Sequence, residues 1–487
     1  MRILLLNPPY LPRYSRQSRS PCVTKSGTFY YPYFLAYAAG VLEKAGFEVK
    51  IIDAVAQEFS HGKTVEEVKK FAPTLVVIDT STPSIYNDVA IATKIKQVTQ
   101  AHVTLVGTHP TALPNETLAL GKADSICRGE FDYTVRDLAL ALNKGNKLET
   151  VLGLSYRDGK KIIHNAPRPL IKNLDALPFV SEVYLKHFGE KGIKKYFYAS
   201  LRWPQVTILT ARGCPYNCAF CNSPFKTSYR PRSIKNVVAE FKFIKKNLPF
   251  VKEIMIEDET FPASKKRTIN LCKALVKNKN KLRWSCNARV NTDLETLKWM
   301  KKAGCRLLCV GFESPEQSLL NAVHKGTSEK MQIDFMKDTK RTGLLVNGCF
   351  ILGLPGETKE TIRKTIEFAK KLNPDTAQFY PLMVYPGTEA YAWAKKKRLL
   401  TTEDYRKWLT KEGYHHTTIS RKRLSTKELV ALCDLARKEF YVRPRYIIPK
   451  FSQVLASPSE AIRTLKSGKT FFKYLVSLNK KIKKKIK

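Results

Sequence analysis

Hydrophobic and polar positions along the first 145 or so residues alternate between two periods, one typical of strands and one typical of helices. The short β-type runs lie at 3–6, 48–52, 75–79, 103–107 and 125–127. The stretches with helical spacing lie between them, at 34–45, 65–71, 88–99, 116–120 and 133–143. Such units predict an α/β fold, a doubly wound parallel sheet with helices on both faces. A sheet of this kind binds its ligand at the carboxyl ends of its strands.

A second strand–helix series begins near residue 206 and runs to about residue 397. Its predicted strands are 206–210, 253–256, 283–286, 307–311, 346–352 and 376–380. The helices that follow them are 234–247, 265–277, 294–303, 330–342, 360–372 and 390–397. Units of such even length predict a βα barrel, complete or partial, with its chemistry on the loops after the strands. A second doubly wound sheet remains the alternative, because strand order cannot be read from a sequence.

The chain between the two series marks the clearest domain boundary. Residues 153–160 are typical of a hairpin with a tight Asp-Gly turn, and a proline-dotted stretch up to Pro178 indicates a surface linker. After residue 400 the strand rhythm stops, and helical patterns cover 426–441, 459–467 and 471–487. The expected domains are a ligand-binding domain at 1–150, a hairpin and linker at 151–195, a barrel at 196–400 and a helical domain at 401–487.

The composition narrows the class of protein. Of 487 residues, 43% are apolar, which is enough for a sizeable core, and eleven cysteines are too sparse for a disulfide scaffold. No apolar run approaches the roughly 18 residues that span a bilayer. The opening apolar run stops at Asn7-Pro8-Pro9, which is too short for a signal peptide. We therefore expect a cytoplasmic protein of several domains.

The charge is strongly unbalanced, with 85 Lys and Arg against 42 Asp and Glu, a net charge of +43. Such an excess suggests nucleic acid, but the lysines are scattered over most helices and no nucleic-acid module is recognisable, so we do not expect that partner. Near the C-terminus, apolar residues recur at helical spacing from Phe471 to Ile486, with lysines around them. This basic amphipathic helix either lies on the inner face of an anionic membrane or packs on its own domain with a frayed lysine end.

The most informative segment is Thr210–Cys221, which includes the loop after the first strand of the second series. It carries Cys214, Cys218 and Cys221 in a C-x3-C-x2-C spacing, so three thiolates can converge on one small inorganic centre. Iron–sulfur clusters are normally held by four thiolates, and three leave one iron open for chemistry. Structural zinc requires four closed ligands, so a distant residue would have to complete such a site. Three unrelated core cysteines explain this spacing poorly.

This loop resembles that of the radical S-adenosylmethionine (SAM) enzymes, which share the C-x3-C-x2-C spacing. The resemblance implies a [4Fe–4S] cluster on Cys214, Cys218 and Cys221, with SAM chelating the fourth iron. Reductive cleavage of SAM then yields a 5′-deoxyadenosyl radical, and an external reductant of the ferredoxin or flavodoxin type supplies the electron. It also implies that the barrel is a partial, TIM-like (β/α)6 barrel. The cofactors then carry the chemistry, and no catalytic side chain is assigned.

Later strand ends resemble segments that line the SAM pocket of these enzymes, at 256–261, 285–289, 311–314 and 348–358. Solvated loop acids are the alternative interpretation of Asp258 and Glu313, taken singly. Their recurrence after successive strands favours a binding role. The SAM-binding residues implied by the resemblance are Phe220, Asp258, Asn287, Arg289, Glu313 and Gly353.

The first domain resembles the Rossmann-like cobalamin-binding domain of one branch of this superfamily. The shared patterns are I-L-L-x-N-P-P at residues 3–9, a helix start at 82–87, G-x-H-x-T-A-L-P at 107–114 and R-G-E at 128–130. The sequence contains no D-x-H-x-x-G motif for cobalt ligation. His109 is therefore expected to line a base-off cobalamin site, or to bond only to loop backbone. The cobalamin-binding residues implied by the resemblance are Asn7, Thr80, Thr82, Ser84, Gly107, His109, Gly129 and Glu130.

Together these resemblances imply an oxygen-sensitive enzyme that uses a [4Fe–4S] cluster, SAM and cobalamin. The expected reaction is methylation at an unactivated carbon of a small molecule, a hydrophobic one if the C-terminal tail binds membrane. One SAM would methylate cobalamin and a second would supply the radical. The alternative within this chemistry is an oxidative cyclisation like that of the anaerobic magnesium-protoporphyrin monomethyl ester cyclase. The alternative from a different class is a non-catalytic iron–sulfur or zinc protein that binds RNA.

Overall fold

The computed structural model describes residues 1–456, apart from residues 224 and 423. The described chain forms two large sheets, each packed against helices, and a helical segment that packs on the second sheet. The helices predicted at 459–467 and 471–487, including the basic amphipathic helix, lie outside the described residues. None of the described helices is long and apolar enough to span a bilayer.

The first sheet has seven strands in the order β2-β1-β3-β4-β5-β6-β7, and the strands β1 to β5 are parallel. Its strands are β1 (Arg2–Asn7), β2 (Glu48–Asp53), β3 (Leu75–Asp79), β4 (His102–Val106), β5 (Ser125–Cys127), β6 (Leu154–Asp158) and β7 (Lys161–His164). Its helices are α1 (Tyr33–Lys44), α2 (His61–Phe71), α3 (Ile85–Val98), α4 (Thr108–Ala112), α5 (Pro114–Ala119) and α6 (Asp132–Lys144). The order reverses at β1, so the predicted doubly wound sheet is confirmed, and the reversal opens a crevice at the carboxyl ends of β1 and β3.

Burial on both faces explains the unbroken apolar run of β1. Leu5 packs in the cluster that includes Leu35 of α1 and Leu138 of α6. Leu6 faces the other way, into the cluster that includes Ile91 of α3. A strand covered on both faces has no polar side to alternate, which is the usual pattern of parallel sheets.

The hairpin predicted at 153–160 is confirmed, and it extends the first sheet. β6 pairs antiparallel with both β5 and β7. The chain then crosses to α7 (Val180–Ile193), a helix that the sequence pattern did not predict. This helix packs against α1 and β8, between the two sheets.

The second sheet has six parallel strands in the order β15-β14-β13-β12-β11-β8. They are β8 (Gln205–Ile208), β11 (Glu253–Ile256), β12 (Arg283–Ala288), β13 (Cys305–Glu313), β14 (Leu345–Leu352) and β15 (Thr376–Pro381), with a small ribbon of β9 (Ala211–Arg212) and β10 (Arg230–Pro231). The helices are α8 (Ile234–Asn247), α9 (Lys265–Lys277), α10 (Leu294–Lys302), α11 (Gln317–Ala322), α12 (Glu329–Thr342), α13 (Lys359–Leu372), α14 (Glu389–Lys396), α15 (Thr426–Tyr441) and α16 (Pro444–Ala456). Because the order never reverses, the second doubly wound alternative is wrong. Within the described chain β8 and β15 do not pair, so the barrel is partial, as predicted.

The inner face of this barrel is polar across its last four strands. Asn287, Cys309, Asn347 and Thr376 are register partners on β12 to β15. The Asn347 amide donates to the Cys309 thiol (3.6 Å) and its carbonyl accepts from the Thr376 hydroxyl (2.8 Å). The outer face is apolar and packs on the helices. The interior of the barrel is therefore the polar side, where a ligand can be held.

The long loop at residues 8–32, between β1 and α1, joins the parts of the molecule. The Arg16 guanidinium bonds to Asp88 of α3, and Arg19 donates to the backbone carbonyl of Asp258 after β11 (2.9 Å). The Ser20 hydroxyl lies 2.9 Å from Nε2 of His415, in the segment before α15. The loop thus contacts the first sheet, the barrel and the C-terminal segment.

Arg212 makes the main buried ion pair between the two sheets. Its side chain is 2% exposed, and it donates to the carboxylates of Glu130 (2.9 Å) and Asp132 (2.7 Å). Arg230 on β10 donates to the other oxygen of Glu130 (2.8 Å). The Arg212 guanidinium also lies 4.9 Å from the centre of the Tyr37 ring on α1. One charge on β9 therefore fixes the start of α6 relative to the barrel.

Replacing Arg212 with methionine should lower the free energy of unfolding by about 3–5 kcal/mol, since it leaves the buried Asp132 without its cation and Glu130 with Arg230 alone. Chemical denaturation followed by circular dichroism measures the loss. Arg341→Met is the matched control, because the Arg341–Asp338 pair lies on the surface of α12 and should contribute less than about 1 kcal/mol. Equal losses of unfolding free energy in the two variants would contradict the role of the Arg212 ion pairs in holding the two sheets together.

Candidate functional site

The cysteine loop is closed at its base by a small ribbon. β9 and β10 pair antiparallel on either side of it. Gly213 begins the loop with φ +87°, and an added Cβ would lie 2.3 Å from the Ser228 carbonyl oxygen, so only glycine fits. Glu259 holds the loop from the other side, accepting from the Gly213 amide (3.1 Å) and the Ser223 hydroxyl (2.9 Å). The loop after β8 is thus fixed by the strand end of β11.

The loop contains three free thiols in different degrees of burial. Cys218 is buried, and Cys214 and Cys221 are half-buried. Burial raises the pKa of Cys214 and of Cys221, and for Cys221 the cations Arg19 and Lys226 oppose the rise. The thiolate form of Cys221 is therefore stabilised by the neighbouring cations Arg19 and Lys226.

A mononuclear metal site is not formed by these thiols. Among the described residues, no group of three His, Cys, Asp or Glu side chains is placed to hold one metal ion. In an iron–sulfur cube each cysteine binds a different iron, so its ligands stand further apart than those of one ion. A single zinc ion and an iron–sulfur cluster thus place different demands on the same three thiols.

Arg289, at the end of β12, lies against the cysteine loop. Its Nη1 lies 3.6 Å from Sγ of Cys218, and its guanidinium stacks 3.7 Å from the centre of the Tyr216 ring. It also donates to the backbone carbonyl of Lys325. Of the residues predicted to bind SAM, Arg289 is the one that the structure brings into direct contact with a cysteine.

Asp258 and Asn287 connect the strand ends around this loop. The Asp258 carboxylate accepts from the amide and the hydroxyl of Thr210, both at 2.6 Å. The Asn287 amide donates to the backbone carbonyl of Asp258 (3.0 Å). Burial raises the pKa of Asp258 to about 6. The carboxylate of Asp258 therefore holds the start of the cysteine loop.

Glu313 forms a buried pair with Lys325. Its carboxylate lies 2.6 Å from Nζ of Lys325, with both side chains 6% exposed. Glu313 has φ +63°, which few residues other than glycine adopt, and Gly311 leaves room for its carboxylate, since an added Cβ would lie 2.3 Å from it. The strain holds this carboxylate inside the barrel.

Phe220 is part of the cysteine loop, and Gly353 lies against the C-terminal helix α15. Phe220 is half-buried and packs with Leu354 and other apolar residues. Gly353 has φ +97°, its amide donates to Glu357, and its carbonyl accepts from Arg421. An added Cβ would lie 2.6 Å from Leu429 of α15, so this glycine is required for packing of that helix.

A cavity of about 80 Å³ lies between the carboxyl ends of the first sheet and the cysteine loop. The first sheet contributes Asp79, Thr80, Gly107 and Gly129, among others. The barrel side contributes Asn222 and Ser223 of the cysteine loop together with Glu257 and Glu259 after β11, while the segment 16–19 lines it from the N-terminal loop. The two halves of the molecule thus face one shared space.

The chain matches two family models, the radical SAM superfamily at residues 208–369 and the B12 binding domain at residues 19–139. It is 34% identical over 455 residues to an uncharacterized methyltransferase of Pyrococcus horikoshii, covering 92% of this chain and 94% of that protein. It therefore belongs to the cobalamin-binding radical SAM enzymes. These enzymes use a [4Fe–4S] cluster, SAM and cobalamin, as the sequence predicted.

Two further relatives of this radical SAM enzyme carry information on activity and fold. The chain is 30% identical over 372 residues to the anaerobic magnesium-protoporphyrin IX monomethyl ester cyclase of Cereibacter sphaeroides, covering 74% of this chain but only 60% of the cyclase. The structure of the radical SAM methyltransferase TsrM from Kitasatospora setae superposes with a TM-score of 0.72 at 18% identity, over 91% of this chain and 89% of TsrM. The second similarity shows a common fold.

In this radical SAM enzyme, two glycines and a threonine line the cavity at the predicted cobalamin site. Gly129 has φ +68°, and a Cβ added there would meet nothing within 4 Å. Gly107 has φ +126°, and its added Cβ would lie 2.4 Å from the Thr80 carbonyl oxygen. The Thr80 hydroxyl donates to the Val106 carbonyl, so the two loops are tied together. These residues fit a ligand that approaches the backbone closely.

Asn7 and Ser84, which are also predicted for cobalamin, lie behind this wall and hold it. Asn7 donates to Asp53 and accepts from Arg16. The Ser84 hydroxyl donates to Asp88 (2.5 Å). Glu130 lines the cavity and accepts from Arg212.

His109 is buried beside Thr82 and Tyr405. Its Nδ1 lies 3.2 Å from the Thr82 hydroxyl, and its Nε2 is buried with no hydrogen-bond partner among the described residues. Its ring meets the Tyr405 ring edge-on, with centroids 4.9 Å apart, and burial lowers its pKa to about 3. It does not line the shared cavity.

Replacing Gly107 with alanine should weaken cobalamin binding and destabilise the fold by about 1–3 kcal/mol, because the Thr80 carbonyl must move. Corrinoid titration by absorbance and thermal unfolding measure the two effects. Gly145→Ala is the matched control, since Gly145 also has positive φ (+69°) but its added Cβ meets nothing within 4 Å. Equal cobalamin affinity in the two variants would contradict a role of Gly107 in this site.

Proposed function

We propose that this protein is a cobalamin-dependent methyltransferase that acts at an unactivated carbon, with its cluster on Cys214, Cys218 and Cys221. The observation that supports this most is the shared cavity, which joins Gly107 and Gly129 of the first sheet to the cysteine loop. A methyl carrier and a radical source must reach the same substrate carbon, so their sites must face each other. When bound, the cluster supplies the electron that cleaves SAM and cobalamin carries the methyl group.

The strand-end residues hold SAM beside the cluster in this proposal. Arg289 supplies a cation next to Cys218, and the Glu313–Lys325 pair places charged groups inside the barrel at the same end. Asn287 of β12 faces the interior of the barrel. Phe220 precedes the third cysteine in the loop. Asp258 holds the start of the cysteine loop, and Gly353 lets α15 pack against the end of β14.

The cobalamin residues divide into wall and support. Gly107, Gly129 and Thr80 line the cavity, whereas Asn7, Thr82, Ser84 and Glu130 hold the loops of that wall, with Glu130 also reaching the cavity. His109 does not line the cavity, and it packs against Thr82 and Tyr405, which fits a cobalamin that would be held without coordination by His109. A corrin is larger than about 80 Å³, so this cavity would take only part of it.

The electron comes from an external one-electron reductant in this proposal. A net charge of +43 suits an acidic carrier protein of the ferredoxin or flavodoxin type, since complementary charge speeds encounter. Contact of the basic tail with a membrane stays a prediction, as does a cytoplasmic location.

Anaerobic reconstitution tests the cluster. The wild-type chain should bind about four irons and release 5′-deoxyadenosine from SAM on reduction. Cys214→Ala should lose both the intact cluster spectrum and this release. Cys272→Ala makes the same chemical change in a buried cysteine of α9, away from the loop, and should keep the irons. Release of 5′-deoxyadenosine by Cys214→Ala would defeat the cluster assignment.

The products distinguish methyl transfer from cyclisation. A methyltransferase that uses one SAM as methyl donor and another as radical source should release S-adenosylhomocysteine as well as 5′-deoxyadenosine. The cyclase alternative, supported by the 30% identity to the Cereibacter sphaeroides enzyme, should release 5′-deoxyadenosine alone. Liquid chromatography of the reduced holoenzyme reaction with SAM measures both products, and the absence of S-adenosylhomocysteine would favour cyclisation.

A further inference from the structure

A second and larger cavity, of about 500 Å³, lies at the open side of the barrel. One wall is the edge strand β15, and another is formed by α15 and the start of α16. Residues 22–28 of the N-terminal loop and Ala199 and Ser200 before β8 complete it. Its volume is in the range of pockets that hold small-molecule ligands. Neither family match nor the sequence pattern points to this cavity.

The cavity is continuous with the inner face of the barrel. Asn347 of β14 and Thr376 of β15 line it, and both belong to the polar inner row that begins at Asn287. Gln378 and Tyr380 alternate with buried outward residues on β15, so they face the same interior. A molecule in this cavity would therefore enter the barrel along β15, which is the edge strand at the other end of the sheet from β8.

Further contacts lead from the cavity toward the cysteine loop. Cys349 is the register partner of Gln378 on one side and of Gly311 on the other. A Cβ added at Gly311 would lie 2.3 Å from the Glu313 carboxylate, which pairs with Lys325. The Lys325 carbonyl accepts from Arg289, which lies against Cys218, so a short series of contacts joins the inner face to the cysteine loop.

The walls are mainly apolar and aromatic. The apolar and aromatic residues that line the cavity are Val23, Ala377, Phe379, Tyr380, Pro381, Tyr414, Val430, Tyr441, Val442, Tyr446 and Ile447. Val442 and Ile447 are 56% and 51% exposed, so the rim of the cavity also presents apolar surface. Such walls favour a ligand with a large apolar body.

The charged groups on the walls are cationic. Lys25, Arg437 and Lys450 line the cavity, whereas none of the described residues that line it is Asp or Glu. Asp434 stands behind the wall and accepts from both Lys25 (2.7 Å) and Arg437 (2.5 Å), which fixes these two cations at one end. Arg437 also donates to the Phe379 backbone carbonyl, and the two cations together with Asp434 carry a net charge of +1, which favours an anionic group such as a carboxylate or a phosphate.

We propose that this cavity binds the substrate, and that the substrate is an apolar molecule carrying an anionic group. This inference rests on the proposed function, because it places the substrate carbon inside the barrel where the radical forms. The anionic group lies against Lys25 and Arg437, and the apolar body extends along β15 toward the polar inner row. A carboxylate and a phosphate share this chemistry.

Fluorescence titration of the holoenzyme with dansyl-undecanoic acid tests the inference. The acid should bind with a rise in dansyl emission, and its methyl ester should bind at least roughly tenfold more weakly, since the ester has no charge to pair with the cations. Competition with dodecyl phosphate and with dodecanoic acid shows which anion binds more tightly.

Variants locate the probe. Lys25→Gln should remove most of the preference for the acid over its ester, and Val430→Trp should weaken both probes by filling the space beside α15. Lys330→Gln is the matched control, since Lys330 is 86% exposed on α12. Iron and corrinoid contents of each variant check folding, and a second filling variant, Val442→Trp, replaces Val430→Trp if that protein does not fold.

Three results would overturn the inference: equal binding of acid and ester, binding unchanged in a folded Val430→Trp or Val442→Trp protein, or no binding of any probe. Failure of the proposed function gives a different pattern. A wild-type protein that binds the acid at this cavity but holds no cluster, or releases no 5′-deoxyadenosine, would contradict the proposed function. The binding of an anionic apolar ligand in this cavity would still be supported.

Discussion

The ion pair of Arg212 with Glu130 and Asp132 is the constraint on which the rest of the arrangement depends. Arg212 stands two residues before Cys214, and its carboxylate partners open α6 of the first sheet. An apolar contact tolerates sliding, whereas a buried charge that leaves its partners loses several kcal/mol. Arg212, assisted by Arg230 on the other oxygen of Glu130, therefore fixes the position of the cysteine loop relative to the crevice of the first sheet.

The barrel adds a second constraint, a polar interior bounded by an apolar shell. Asn347 joins Cys309 to Thr376 across three strands. The Glu313–Lys325 pair lies at the carboxyl end of β13. Buried polar groups that satisfy one another are rigid, because each lost hydrogen bond leaves a desolvated partner. A reactive intermediate inside such a barrel meets few mobile groups.

Local features of the sequence predicted much of this molecule. Unbroken apolar runs identified the parallel strands of the first sheet, since both of its faces are covered. The cysteine spacing identified the loop because the three cysteines lie within eight residues of one another. Arg16 and Arg19 escaped notice, since their partners Asp88 and Asp258 lie 72 and 239 residues away. The strand order, the opening between β8 and β15 and the larger cavity likewise arise from distant segments. Gly353 is predicted to bind SAM, and the structure adds a packing reason for glycine at this position, because an added Cβ would lie 2.6 Å from Leu429.

The larger cavity has a consequence for how such enzymes diversify. Its outer wall comes from α15 and α16, which follow the barrel in the chain, while the cysteine loop and the first sheet precede that wall. Changes in the side chains of these helices that face the cavity, such as Val430, would reshape the proposed binding space. The residues of the cysteine loop and of the first sheet would stay the same, so the size and shape of an accepted molecule could change without any change in the residues around the cluster.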